Sequence, residues 1–232
     1  MATDPTGYAG PHPDLRPLFR DALEQMRAQM AEHPGPGTDQ QGLPSETQST
    51  DVTVRSQRTW HDIRVPDPTM SGVDLSAGIV QFSDGPKHYS FFIEAVRRPD
   101  STDWQHAGIS GGERPAGELD RAGGFMITGG QYVCVGRLRG KPGFVARLLQ
   151  RLLRRKPFGH IEVEHADGMT YRASVEDDGG CIVFAPIVES VAADDQITVR
   201  YLDESGRVMT QDRTWIGNGG PPPAAMFAAM RS

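Results

Sequence analysis

From residue 52 to about residue 217 the chain is written in short apolar–polar alternations, each closed by a glycine- or aspartate-bearing turn. A period of two places alternate side chains on opposite faces of a strand, so a chain of this pattern must bury one face of many short strands. Residues 59–65 set Trp60, Asp62 and Arg64 against His61, Ile63 and Val65. Further strands are predicted at Val73–Phe82, His88–Val96, Gly124–Thr128, Gln131–Leu138, Ile161–His165, Thr170–Val175, Cys181–Ala185, Gln196–Leu202 and Arg207–Thr210. Ala166-Asp167-Gly168, Asp178-Gly179-Gly180 and Asp203-Glu204-Ser205-Gly206 supply the positive-φ tolerance that tight hairpins need. The 26 residues 99–124, rich in Gly, Asp and Ser, read as a long loop. The expected fold is mainly β, a β-sandwich with lobes over 52–128 and 129–217 that form one core or two.

Two segments break the alternation. Within an N-terminal arm and helix (1–33), Asp14 is placed to cap, Pro17 falls in the first turn, and Leu15, Leu18, Phe19, Ala22, Leu23, Met26 and Met30 recur at steps of three and four. This predicts an amphipathic helix that stops at Pro34. Residues 34–51 carry one large apolar residue and no aromatic one, which predicts a flexible linker and a helix tethered to the body. The tail 218–232 is expected to fray.

The second break is basic. Arg137, Arg139, Lys141, Arg147, Arg151, Arg154, Arg155 and Lys156 place +8 in twenty residues without an acid, in a chain whose net charge is −6. Phe144, Val145, Leu148, Leu149, Leu152 and Leu153 cover one arc of a helical wheel, and Arg147, Arg151 and Arg154 lie on the opposite arc. Pro142 and Pro157 bound it, so a basic amphipathic helix about 21 Å long is expected over 142–156, inserted between two strands.

The order YVCVGRL, insert, HIEVEHADGMTYRASVEDDGGCIVFAPI, QITVRYLDESGRVM resembles small transthyretin-like or carboxypeptidase-regulatory-like sandwich modules over residues 130–210. Val175-Glu176-Asp177-Asp178-Gly179-Gly180-Cys181-Ile182-Val183-Phe184 corresponds to their T-D-x-x-G-x-F turn and strand. The helical insert is similar to that of the sandwich domain preceding certain bacterial phosphatidate phosphatases. The resemblance implies a non-catalytic accessory module, and the D-x-D-x-T loop of those phosphatases is missing here.

Other chemistry is sparse. Gly108-Ile109-Ser110-Gly111-Gly112 fits G-x-S-x-G, with Asp103 and His106 nearby, but Pro115 and Gly117 spoil the helix that must follow a nucleophile elbow. His160, Glu162 and Glu164 alternate onto one strand face, where they can ligate a metal or meet arginines. Glu176-Asp177-Asp178 lacks the calcium-loop spacing and reads as a turn. No phosphate-binding loop or dinucleotide fingerprint occurs, and Trp60, Trp104 and Trp215 suit core or corner positions better than a sugar platform. No cofactor and no metal are expected.

No apolar run reaches the ~18–20 residues that span a bilayer. The start MATDPTGYAGPHPD has neither a basic nor an apolar stretch, which predicts a cytoplasmic protein. Cys134 and Cys181 lie in apolar runs without a CxxC and are expected to be buried thiols. The acidic remainder and the lack of aromatics among the arginines argue against nucleic acid. The expectation is a non-enzymatic binding or adaptor protein that recognises an acidic protein partner through Arg147, Arg151, Arg154, Arg155 and Lys156. The alternatives are a peripheral module on an anionic membrane surface and a serine hydrolase using Ser110.

Overall fold

The computed structural model describes residues 12–32, 52–63, 72–114, 123–128, 132–138, 158–186 and 196–215. Helix α1 (Leu15–Glu32) is followed by β1 (Thr53–Ile63), β2 (Val73–Asp84), β3 (Lys87–Arg97), β4 (Gln105–Arg114), β5 (Gly123–Thr128), β6 (Tyr132–Leu138), β7 (Phe158–Glu164), β8 (Thr170–Ser174), β9 (Gly180–Pro186), β10 (Gln196–Asp203) and β11 (Val208–Trp215). The fold is mainly β, in three antiparallel sheets with orders β1-β2-β3-β4, β5-β6-β9 and β11-β10-β7-β8.

The helix starts where its cap sits. Asp14 Oδ1 accepts the Arg16 backbone amide at 3.1 Å, the bond that an N-cap carboxylate makes. The tether reading is overturned. Leu15, Phe19 and Leu23 are buried against Val80 and Phe82 of β2 and Tyr89, Phe91, Ile93 and Ala95 of β3. Phe19 packs at 5.3 Å from the Phe91 ring and 5.7 Å from Phe82. The residues before the helix are stitched on as well, by His12 to Thr59 at 2.8 Å and by Gln57 Nε2 donating to the Pro13 carbonyl at 2.8 Å. An amphipathic face of this size is worth several kcal/mol by area, about 25 cal/mol per Å², so it finds a surface. The sheet supplies that surface because β2 and β3 are apolar on both faces.

The opposite faces of β2 and β3 meet the next sheet. Val73, Leu75, Ala77, Ile79 and Phe92 pack with Tyr132, Cys134 and Leu138 of β6 and Ile182 and Phe184 of β9. The other faces of β6 and β9, with Val133, Val135, Cys181, Val183 and Ala185, pack with Ile161, Val163, Ala173, Ile197, Val199 and Tyr201 of β7, β8 and β10. The sheet β5-β6-β9 is thus a middle layer with two core strands buried on both sides. The expected boundary at 128/129 falls inside this sheet, because β5 pairs with β6 from Gly123↔Arg137 to Thr128↔Tyr132. Cys134 and Cys181 are buried free thiols on opposite faces of the layer.

Two strands differ from expectation. β4 occupies residues read as loop. Its centre, GISGG, is poor in β-branched and aromatic residues, and it is a strand because β3 offers it an edge. β1 begins at Thr53 and changes face twice, with register shifts between Val54 and Ser56 and between Trp60 and Ile63. At the second shift Asp62 adopts φ +45°, so Trp60 and Ile63 are both buried although strict alternation separates them. The hairpin turns follow the sequence closely. Asp167, Asp178 and Asp203 each accept a backbone amide two residues on. The linker 34–51, the insert 142–156 and the tail 218–232 lie outside the described residues.

Candidate functional site

Arg147, Arg151, Arg154, Arg155 and Lys156 lie outside the described residues, but the strands that carry their segment are defined. β6 ends at Leu138 in the middle layer and β7 begins at Phe158 in the outer one, so the segment bridges two sheets. Arg137, the first basic residue of the run, lays its guanidinium over the Tyr201 ring at 4.9 Å. Leu138 pairs with Gly180 at the β8–β9 turn, and Gly159 lies against Glu204 in the β10–β11 turn. Both turns are acidic. Arg58 of β1 donates to Glu176 Oε1 at 2.6 Å, and Ser56 Oγ donates to Oε2 at 3.1 Å. The Glu176 carboxylate therefore ties the first sheet to the tight turn that joins the third sheet to the middle one, the turn that its sequence predicts.

The G-x-S-x-G motif has a different setting from that of an elbow. Gly108–Gly112 lie inside β4, with Ser110 opposite Phe92 and His106 opposite Ala95. Four strand steps separate Ser110 from His106 by about 13 Å, which is far beyond hydrogen-bond reach. Ser110 Oγ is buried without a hydrogen-bond partner. Among the described residues Ser110 sits within a strand and not at a strand–turn–helix elbow.

His160, Glu162 and Glu164 do share the outer face of β7, but arginine occupies them. Arg200 of β10 reaches Glu162 at 3.1 Å and also pairs with Glu164. Across the sheet Arg172, Glu162, Arg200 and Gln211 form one cross-strand row. His160 Nδ1 meets Ser174 Oγ at 3.1 Å. Among the described residues no group of three or more His, Cys, Asp or Glu side chains is placed to hold a metal.

Three polar arrangements are invisible to sequence reading because their members are distant in the chain. Asp74 Oδ1 meets His61 Nδ1 at 2.9 Å, and Arg97 Nε donates to Asp74 Oδ2 at 3.1 Å while stacking on Trp104. Burial alone would raise the Asp74 carboxyl, yet the bonds from Arg97, the Asp62 amide and His61 outweigh it and hold the group below its ordinary range. This cluster ties together the ends of β1, β2 and β3. Glu94 is fully buried between the first and second layers, where Tyr132 Oη donates to it at 3.4 Å. Burial, then the neighbouring Glu94 carboxyl, push the Cys134 thiol well above its ordinary value. Burial likewise pushes Cys181 up to about 12, so neither sulfur is a nucleophile at neutral pH.

The third is His165, the residue after β7. It is 3% exposed, and both ring nitrogens are buried with no hydrogen-bond partner. Its ring meets Tyr171 edge-on at 5.4 Å. Period two alone put it on the inner face of β7, but nothing in the sequence marks it as unpartnered.

No family model matches the chain, and no curated protein matches it. Among the described residues no helix is long and apolar enough to cross a membrane.

Proposed function

We propose that this protein is a non-enzymatic binding or adaptor protein, and that the basic stretch between β6 and β7 recognises an acidic protein surface. The observation that carries the reading is the concentration of charge. Eight basic residues without an acid stand in one twenty-residue run of a chain with net charge −6. Arg147, Arg151, Arg154, Arg155 and Lys156 are the contact residues in this reading. Long-range steering by such a run acts on acidic partners and weakens with salt. We take residues 130–210 as a sandwich module of the transthyretin-like kind. The face-to-face packing of β6 and β9 on β7, β8 and β10 supports that view. A cytoplasmic location accords with the two free thiols.

The test is retention on immobilised poly-glutamate at low and high salt, with the triple variant Arg147→Glu, Arg151→Glu, Arg154→Glu as comparison. The wild type is expected to bind at low salt and elute as salt rises, and the variant to pass through. The variant should melt near the wild-type temperature, because exposed ion pairs are worth about 0–1 kcal/mol each. Equal retention of wild type and variant would reject the assignment. Sedimentation with phosphatidylserine vesicles, without retention on poly-glutamate, would move the reading to an anionic membrane surface.

A further inference from the structure

The β7–β8 hairpin pairs from His160↔Ser174 to Glu164↔Thr170, and β8 is a five-residue edge strand held by β7 alone within its sheet. His165 closes the hairpin. Its amide donates to the Met169 carbonyl at 2.9 Å, and its carbonyl accepts the Gly168 amide at 2.9 Å. The imidazole is turned inward, on the side of Ile161 and Val163, and Tyr171 of β8 covers it edge-on. A buried donor or acceptor without a partner is unfavourable, and a buried imidazolium without one is more so. The seat therefore accepts the neutral ring and rejects the charged one.

We propose that the β7–β8 hairpin is an acid-responsive latch, in which protonated His165 leaves its buried seat and edge strand β8 detaches from β7. Among the described residues the surroundings offer the cation little help. The charged group near it is Asp167 in the turn, while the adjacent Glu164 points to the other face and is held by Arg200. Tyr171, which covers the ring, is a phenol that burial raises and so is uncharged. The apolar cluster behind it on the inner side of β7 holds two more titratable groups, Cys181 and Tyr201. Both are uncharged, since burial pushes the thiol up to about 12 and raises the phenol. Burial lowers His165 from the ordinary 6.5, against a smaller upward pull from Asp167. On the outer face, partial burial, then Arg172, lower His160, with Glu204 and Asp203 of the β10–β11 turn pulling it the other way. The signs agree. A base whose closed-state pKa lies below its open-state value keeps the hairpin fully closed above about 6.5 and loses closure as pH falls toward the lower value. Detachment frees the pairing edge of β7 and uncovers Tyr171 and Ala173, so the latch converts acidification into a new exposed strand edge.

Amide hydrogen exchange at pH 7.5 and 5.5, corrected for intrinsic rates, tests this on the full chain. One proton taken up on opening lowers protection about tenfold per pH unit below 6.5. The amides of the hairpin are expected to lose protection at pH 5.5, by up to about tenfold, while those of the β2–β3 hairpin do not. In His165→Phe, which keeps a ring against Tyr171 and cannot titrate, the loss should be abolished. The same loss in His165→Phe, or an equal loss in every strand, would overturn the proposal. Nuclear magnetic resonance titration of the wild-type ring needs no variant. A His165 that protonates near 6.5 while the β8 amides stay protected would overturn it as well.

Discussion

Gly136 and Gly112 make opposite demands on their surroundings. Gly136 lies in β6 against the Phe92 ring, and a Cβ added there would stand 2.4 Å from Phe92 Cε2. The ring is 2% exposed and locked between two layers, so it has nowhere to move. Gly112 in β4 has no atom within 4 Å of the same added carbon. We expect Gly136→Ala to lose about 1–3 kcal/mol by overpacking. Gly112→Ala should be neutral, or gain up to about 1 kcal/mol from a stiffer unfolded chain. Urea unfolding of the two variants checks this, and equal effects would mean that Phe92 does not fill the space beside β6. Neither demand is legible in the sequence, where Gly136 stands in a strand-like run and Gly112 in a run that reads as loop. The turn aspartates are legible because their bonds reach only two residues. The partners of Glu94, Glu176 and Asp74 come from other strands, and no local pattern encodes them.

Helix α1 shows where element-level reading succeeds and where it stops. The cap at Asp14 and the three- and four-residue spacing of its apolar positions determine the helix and its buried face. Its docking depends on β2 and β3, which present Val80, Phe82, Phe91 and Ile93 outward as well as a second apolar set inward. A polar linker predicts a free helix, yet lengthening a connection costs little loop entropy and does not prevent docking. Phe19→Ala is therefore expected to destabilise the whole protein by about 3–5 kcal/mol. The midpoint of thermal or urea unfolding reads this directly, and a change below about 1 kcal/mol would return the helix to a tether. β4 was missed for a related reason. Its glycines carry no strand signal, and only the free edge of β3 makes the run a strand. β1 was placed but misfaced, because a positive-φ aspartate within a strand breaks the alternation on which the reading rests.

At the scale of the molecule, α1 and three sheets stack as successive layers that share strands β2, β3, β6 and β9 between neighbouring cores. Mainly-β character was legible from alternation and turns. Layer order was not, since β6 and β9 are apolar on both faces and such runs do not reveal their neighbours. The candidate recognition stretch stands out in the sequence by charge and the inward side of His165 by period two, whereas the missing partner of His165 emerged only from packing. The central claim is that these layers unfold as one unit, and the two thiols report on it from within. Cys134 lies between the first and second sheets and Cys181 between the second and third. Pulsed thiol labelling across a urea series, resolved for each cysteine by mass spectrometry, measures when each interlayer space opens. The account predicts that Cys134 and Cys181 become reactive at the same urea midpoint, coincident with the loss of circular dichroism. Labelling of one thiol well before the other would contradict it and divide the stack into independent domains.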